Sequence, residues 1–197
     1  ISPMYPYALT KYVAEQYVVH WSNVYGLPFV SLRLFNVFGP RMCLSGGYGG
    51  LFSTILAQKF NNQPVITIGN GEQRRDFVYV ADVARAFLMA AESDVVNEVF
   101  NIGRGESVSV NHILQLLDIK KDEIRRLPDR PGEPKETLAS IQKAKRMLKC
   151  EPKVSFEDGL SFLTADVDYW KAGRVWTWEE SVESQKDWYN YLGHKIK

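Results

Sequence analysis

Several things are scarce in this sequence of 197 residues, and each scarcity removes a class of protein. There are two cysteines, Cys43 and Cys150, without metal-ligand spacing. A disulfide scaffold and a cysteine-held metal are therefore not expected, and a reducing, cytoplasmic setting with no metal is. Excess charge of one sign is lacking too: 24 basic residues face 23 acidic ones, for a net charge of +1, and the basic residues are dispersed. No nucleic-acid or membrane partner is expected on that balance. No apolar run approaches the ~18 residues of a membrane span. The opening ISPMYPY has no basic and no long apolar stretch, so no secretory leader is expected there. Internal repeats and low-complexity segments are missing. So is a strand-linked G-x-G-x-x-G or G-x-x-G-x-x-G fingerprint. The glycine-rich Leu44–Gly50 follows a turn and reads as a flexible loop.

What is present is an ordinary globular balance, 45% hydrophobic and 24% charged, with a high aromatic share of 13% that favours a well-packed core or a stacking site. Pro6 suits a first helical turn, and Val13, Tyr17, Trp21 and Val24 recur at helical spacing, predicting a helix to Tyr25. Pro28–Phe35 reads as a buried strand and the following NVFGPR as a turn. A helix over Leu51–Asn61, a strand over Pro64–Gly69, a turn at Asn70-Gly71 and a strand over Asp76–Val80 come next. Ala81–Ser93 is alanine-rich and helical, and Glu98–Gly103 is a further strand. Ser109 is expected to cap a helix to Leu117. Asp129–Pro134 is a loop by composition, and Ser140 starts a short basic helix ending near Lys149. Ser155 with Asp158 opens a helix to Trp170, and Thr177 with Glu180 one to Leu192. Strands and helices alternate, which predicts an α/β or α+β chain rather than a bundle or sandwich.

The stretch YPYALTK places Tyr7 and Lys11 four residues apart, on one face of the first helix. An ammonium beside a phenol favours the phenolate, and a phenol so tuned can take or return the proton of a sugar or alcohol hydroxyl as a hydride moves. Spacing alone decides little, because Tyr191 and Lys195 repeat it where Gly193 breaks the helix. Order decides more. Behind the pair come SLRLFNVFGPR, a glycine-rich loop, GNGEQRRDFVYVADVARAF, VFNIG and RPGEP.

In that order, from Pro3 to about Trp170, these motifs resemble the extended short-chain dehydrogenase/reductase family, in its branch of nucleotide-sugar epimerases and dehydratases. The resemblance implies the C-terminal portion of such an enzyme. Its fold would be the C-terminal part of a Rossmann-type doubly wound sheet plus a smaller α/β substrate-binding region. Residues 1–43 would be the tail of the NAD-binding domain, with the strand near 98–103 returning to it. Residues 44–170 would form the nucleotide-sugar-binding region, and 171–197 a helical tail. The N-terminal part of family members, with the NAD glycines and a Ser/Thr ahead of the tyrosine, has no counterpart here. A missing N-terminal part or partner chain is expected, with the chain inactive alone.

By the same resemblance Tyr7 is the catalytic acid/base, and Lys11 lowers its pKa and binds the nicotinamide ribose of NAD. Leu34 and Phe35 line the nicotinamide pocket. Asn36 donates to the substrate phosphate, and Leu51 and Phe52 border the nucleotide. Arg75 and Arg130 bind the diphosphate, whose oxygens match paired guanidinium donors. The implied activity is that of an NAD-dependent 4-epimerase of the UDP-glucose type. A nucleotide-sugar 4,6-dehydratase and a non-catalytic half are the alternatives, and a homodimer is expected of the full-length enzyme. Asp76, Asp82 and Arg33 are read as structural, Asp82 as a cap on the Ala81–Ser93 helix. Trp176, Trp178 and Trp188 are read as packing residues.

Overall fold

The computed structural model describes Pro3 and residues 6–44 and 50–192, with the side chains of 191 and 192 left aside. The loop expected at 44–50 and the terminal Lys195 lie for the most part outside the described residues. The first helix, α1, runs over Pro6–Tyr25 and leads through Gly26, at φ +65°, into strand β1, Val30–Leu34. Then come β2 (Asn36–Phe38), α2 (Gly50–Phe60), β3 (Val65–Ile68), β4 (Arg74–Arg75), β5 (Phe77–Tyr79) and α3 (Val80–Glu92). The chain continues with β6 (Glu98–Ile102), β7 (Val108–Ser109), α4 (Val110–Leu116) and, after a single 3-10 turn, β8 (Ile124–Leu127). Four helices finish it: α5 (Gln142–Leu148), α6 (Phe156–Thr164), α7 (Val167–Lys171) and α8 (Trp178–Leu192).

The strands pair two by two. β1 lies parallel to β6, β2 to β5 and β3 to β8, while β4 and β7 are antiparallel. The segment expected to be only a turn, NVFGPR, begins with strand β2. Its backbone continues β1 but changes partner: Phe35 N–H donates to the Ile102 carbonyl at 2.9 Å, and Asn36 N–H to that of Asp76 at 3.0 Å. Turn-like composition hid a strand whose pairing is supplied from 40 residues downstream. β8 was not anticipated either. Its IRRL pattern carries two exposed arginines, and β3 alone makes it a strand.

Two apolar clusters hold the structure. The larger surrounds an aromatic knot in which Phe52 lies 5.5 Å from Phe38 and 5.1 Å from Phe77, and Phe156 lies 5.4 Å from Phe38. α2, α4, α6 and Trp170 of α7 close over it. The smaller joins β1, β5 and β6 to α3 and α5 through Val78, Val83, Phe100, Ile102 and Leu148. Cys150 sits in this second cluster, where burial pushes its thiol pKa up.

Cap chemistry explains the helix starts. Ser109 accepts from His112 N–H at 3.2 Å, and Ser155 from Asp158 N–H at 3.0 Å. Thr177 and Glu180 form a reciprocal box at 3.1 and 3.0 Å. The helix expected to reach Trp170 in one piece instead ends at Thr164, and Asp166 caps a new one by accepting from Tyr169 N–H at 3.0 Å. The break lets the Trp170 indole donate to the Leu163 carbonyl at 2.7 Å while its ring is fully buried. Asp82 caps nothing in its own helix. Its carboxylate accepts from the backbone of Lys153 and Val154, each at 3.1 Å, and from Arg85, so it ties α3 to a distant segment.

Candidate active site

Tyr7 and Lys11 lie in the first turns of α1, with the ammonium 5.4 Å from the centre of the phenol ring. The helix sets this distance, since residues at i and i+4 stand one above the other. Tyr7 is 62% exposed and its ring is open to a ligand. Deeper in α1, Glu15 takes a paired contact from Arg33 of β1, at 2.7 and 2.6 Å. That contact fixes the helix against the strand and holds the Glu15 carboxyl below its usual range.

The next group gathers where β1 gives way to β2. Leu34 is exposed at the carboxyl end of β1, opposite Ile102, and Phe35 follows it half-buried. Carboxyl ends of parallel strands are where α/β sheets receive ligands. Asn36 opens β2 exposed, in register with Phe77, so the ladder sets it beside the Arg75-Asp76 backbone. Leu51 is half-buried near the start of α2. Phe52 is 1% exposed within the aromatic knot, so its side chain packs in the core.

Arg75 and Arg130 share the RPGEP loop, residues 130–134. Arg75 donates to Glu133 at 2.7 Å and to the Pro134 carbonyl at 2.8 Å, with its side chain 15% exposed. Both of its terminal nitrogens are engaged in holding the loop. The neighbouring Arg74 donates to Ser107 and Glu136, and its backbone bonds Lys135 and Thr137 at 2.8 and 3.1 Å. Gly132, at φ +77°, makes the turn that a side chain would strain. Arg130 is largely buried, which pulls its pKa down, and its partners Gln185 and Trp188 stand on α8. The Trp188 ring faces that guanidinium, and Trp176 faces Arg174 at 4.0 Å, so these two indoles take cations rather than only filling space.

Beneath the loop Asp76 is completely buried. It accepts from the N–H groups of Arg104, Gly105 and Ala139 at 2.7, 2.9 and 3.0 Å. One carboxylate thereby gathers the ends of β5 and β6 and the segment after RPGEP. Sequence reasoning took Asp76 as structural without seeing this hub, because its three donors lie 28 to 63 residues away. Among the described residues no group of three or more His, Cys, Asp or Glu side chains could hold a metal ion, and no helix is long and apolar enough to cross a membrane.

The fold is thus a mixed α/β one with parallel strands, and its relatives share it. Residues 1–103, just over half of the chain, match the NAD dependent epimerase/dehydratase family, and the chain belongs to that family. A Methanocaldococcus jannaschii protein provisionally named a UDP-glucose 4-epimerase is 39% identical over 166 residues, 81% of this chain and 52% of that protein. Among solved structures, UDP-glucose 4-epimerase of Thermotoga maritima with UDP-glucose is 38% identical, with a TM-score of 0.78 over 86% of this chain and 54% of that one. UDP-glucuronic acid 4-epimerase of Bacillus cereus with UDP-glucuronic acid and NAD is 34% identical, with a TM-score of 0.75 over 86% and 54%. The chain spans about half the length of the curated relatives it matches.

Proposed function

We propose that this chain carries the acid/base pair and the nucleotide-sugar side of an NAD-dependent nucleotide-sugar 4-epimerase. The observation that carries the reading is the Tyr7–Lys11 pair, exposed on one face of α1 in a chain similar to enzymes solved with UDP-sugars. Tyr7, as the phenolate, accepts the proton of the sugar C4 hydroxyl as hydride leaves C4, and the phenol so formed later returns that proton. Lys11, a charge beside the phenol, favours the phenolate during that exchange. Lys11, Leu34 and Phe35 offer an ammonium donor and an apolar strand end, which fit the ribose and nicotinamide of NAD. When bound there, NAD supplies the acceptor and donor of hydride. Asn36, Arg75 and Arg130 serve the diphosphate, with Arg75 acting through the loop it braces and Leu51 standing at the nucleotide's edge.

Residues 1–43 with β6 belong in this reading to the NAD side, 44–170 to the nucleotide sugar, and 171–197 to a helical tail. The phosphate-cradling glycines come from an N-terminal half or partner chain, the complete enzyme is a homodimer, and it works in the cytoplasm. Fusing the chain behind the NAD-binding half of the Thermotoga enzyme and following UDP-glucose to UDP-galactose conversion tests it. Turnover that disappears in Tyr7→Phe is expected. A folded fusion that holds NAD and UDP-glucose but leaves every UDP-sugar unchanged would refute it.

A further inference from the structure

Helix α8 reaches back to the RPGEP loop with three side chains on one face, Gln185, Trp188 and Tyr189, spaced i, i+3 and i+4. Gln185 Oε1 accepts from Arg130 Nε at 2.5 Å. The Arg130 guanidinium lies 5.5 Å from the centre of the Trp188 ring. Trp188 Nε1 donates to the Pro131 carbonyl at 3.1 Å, and the Tyr189 hydroxyl to the Pro128 carbonyl at 2.6 Å. The carbonyls on either side of Arg130 are therefore pinned by the helix that holds its side chain. Further along the same loop, Arg75 donates to Glu133 and to the Pro134 carbonyl.

The start of α8 is itself anchored. The Thr177–Glu180 box closes its first turn, Arg174 meets Glu180 at 3.0 Å, and Gln58 of α2 donates to the Trp176 carbonyl at 3.4 Å. The grip on Arg130 is selective. Nε is bonded and the guanidinium carbon lies over the Trp188 ring, while the two terminal nitrogens make no hydrogen bond among the described residues. Those two nitrogens form the end-on edge of the guanidinium, which matches two oxygens of a phosphate group. An arginine held this way keeps its charge and has already lost the rotamer freedom that binding would otherwise remove.

We propose that α8 is the positioning element for Arg130, with Gln185 and Trp188 aiming its free edge at the diphosphate of a nucleotide sugar. The proposal rests on the reading of Arg130 as a diphosphate ligand and adds the tail helix to the binding apparatus. The probe is UDP, compared with uridine, titrated into the chain by calorimetry with unfolding midpoints recorded for every variant. Gln185→Ala is expected to weaken UDP about tenfold and Trp188→Phe about threefold, with uridine unchanged. In an Arg130→Met background the Gln185→Ala change should add nothing, since its effect passes through the arginine. If Arg130→Met leaves UDP affinity intact, the diphosphate reading of Arg130 fails. If Arg130→Met weakens UDP while the α8 variants do not, that reading stands and the positioning role fails. Equal losses for UDP and uridine would make α8 a general scaffold, and no UDP binding at millimolar concentration would overturn both.

Discussion

Helices α1 and α2 are both rich in apolar residues, yet they are used in opposite ways. α2 has 11 residues and buries Phe52, Ser53, Ile55, Leu56, Ala57 and Gln58. α1 has 20 residues and buries only Ser22. Tyr7, Leu9, Val13, Tyr17, Val18, Trp21, Val24 and Tyr25 all stand exposed on it, and Trp21 stacks on Tyr25 at 4.7 Å. An apolar surface of this extent marks a place where other protein or a ligand sits. The contrast teaches that apolar periodicity reports a surface to be covered and does not say what covers it. For α2 the cover is this chain. For α1 we propose that it is the NAD-binding half and the second subunit.

Breaking this comparison starts at the largest effect. In the fused enzyme Tyr7→Phe should cut turnover by about 10²- to 10⁴-fold. The unfolding free energy of the chain should move by under about 0.5 kcal/mol, because the side chain packs against little. Steady-state kinetics beside chemical denaturation reads both. Phe52→Ala should do the reverse, costing about 3–5 kcal/mol of stability by opening a cavity in the aromatic knot. An intact denaturation midpoint would show that the knot is not the chain's main support.

On the open side, Trp21→Ser combined with Val24→Ser should leave the chain's stability within about 1 kcal/mol. The same pair should lower its self-association in sedimentation velocity, and unchanged sedimentation of an associating chain would move the interface elsewhere. The smallest effect concerns the Glu15–Arg33 contact that joins α1 to β1. The Glu15 carboxyl is lowered from 4.5, first by its hydrogen bond from Arg33. Its contribution is therefore present above the unfolded value and is lost as pH falls through the lowered folded one. With Arg33 at 41% exposure the whole contribution should be about 1 kcal/mol. Arg33→Gln should flatten stability against pH below about 4.5, and an unchanged slope would show the contact to be idle.

Legibility followed the range of the signal. Helix α1, the caps at Ser109, Ser155 and Thr177, and strands β1, β3, β5 and β6 were readable because their causes lie within a few residues. The break after Thr164 was not, since Asp166 becomes a cap only when Trp170 turns inward to the core. Tyr7 and Lys11 could be paired from the helix repeat alone. The engagement of Arg75 with Glu133 could not, because a loop 58 residues later supplies the partner.

What the sequence by itself determined is the α/β alternation, the helix starts and the identity of the chemical groups: a phenol, an ammonium and two guanidinium groups in motif order. These depend on backbone preferences and side-chain chemistry, which travel with the residue. Only the tertiary structure decided that Phe52 is core, that Asp76 gathers three strangers' N–H groups, and that α8 holds Arg130 through Gln185 and Trp188. Each of those depends on which distant segments fill the same low-dielectric space, where an unmet polar group is costly and partners must be found across the fold.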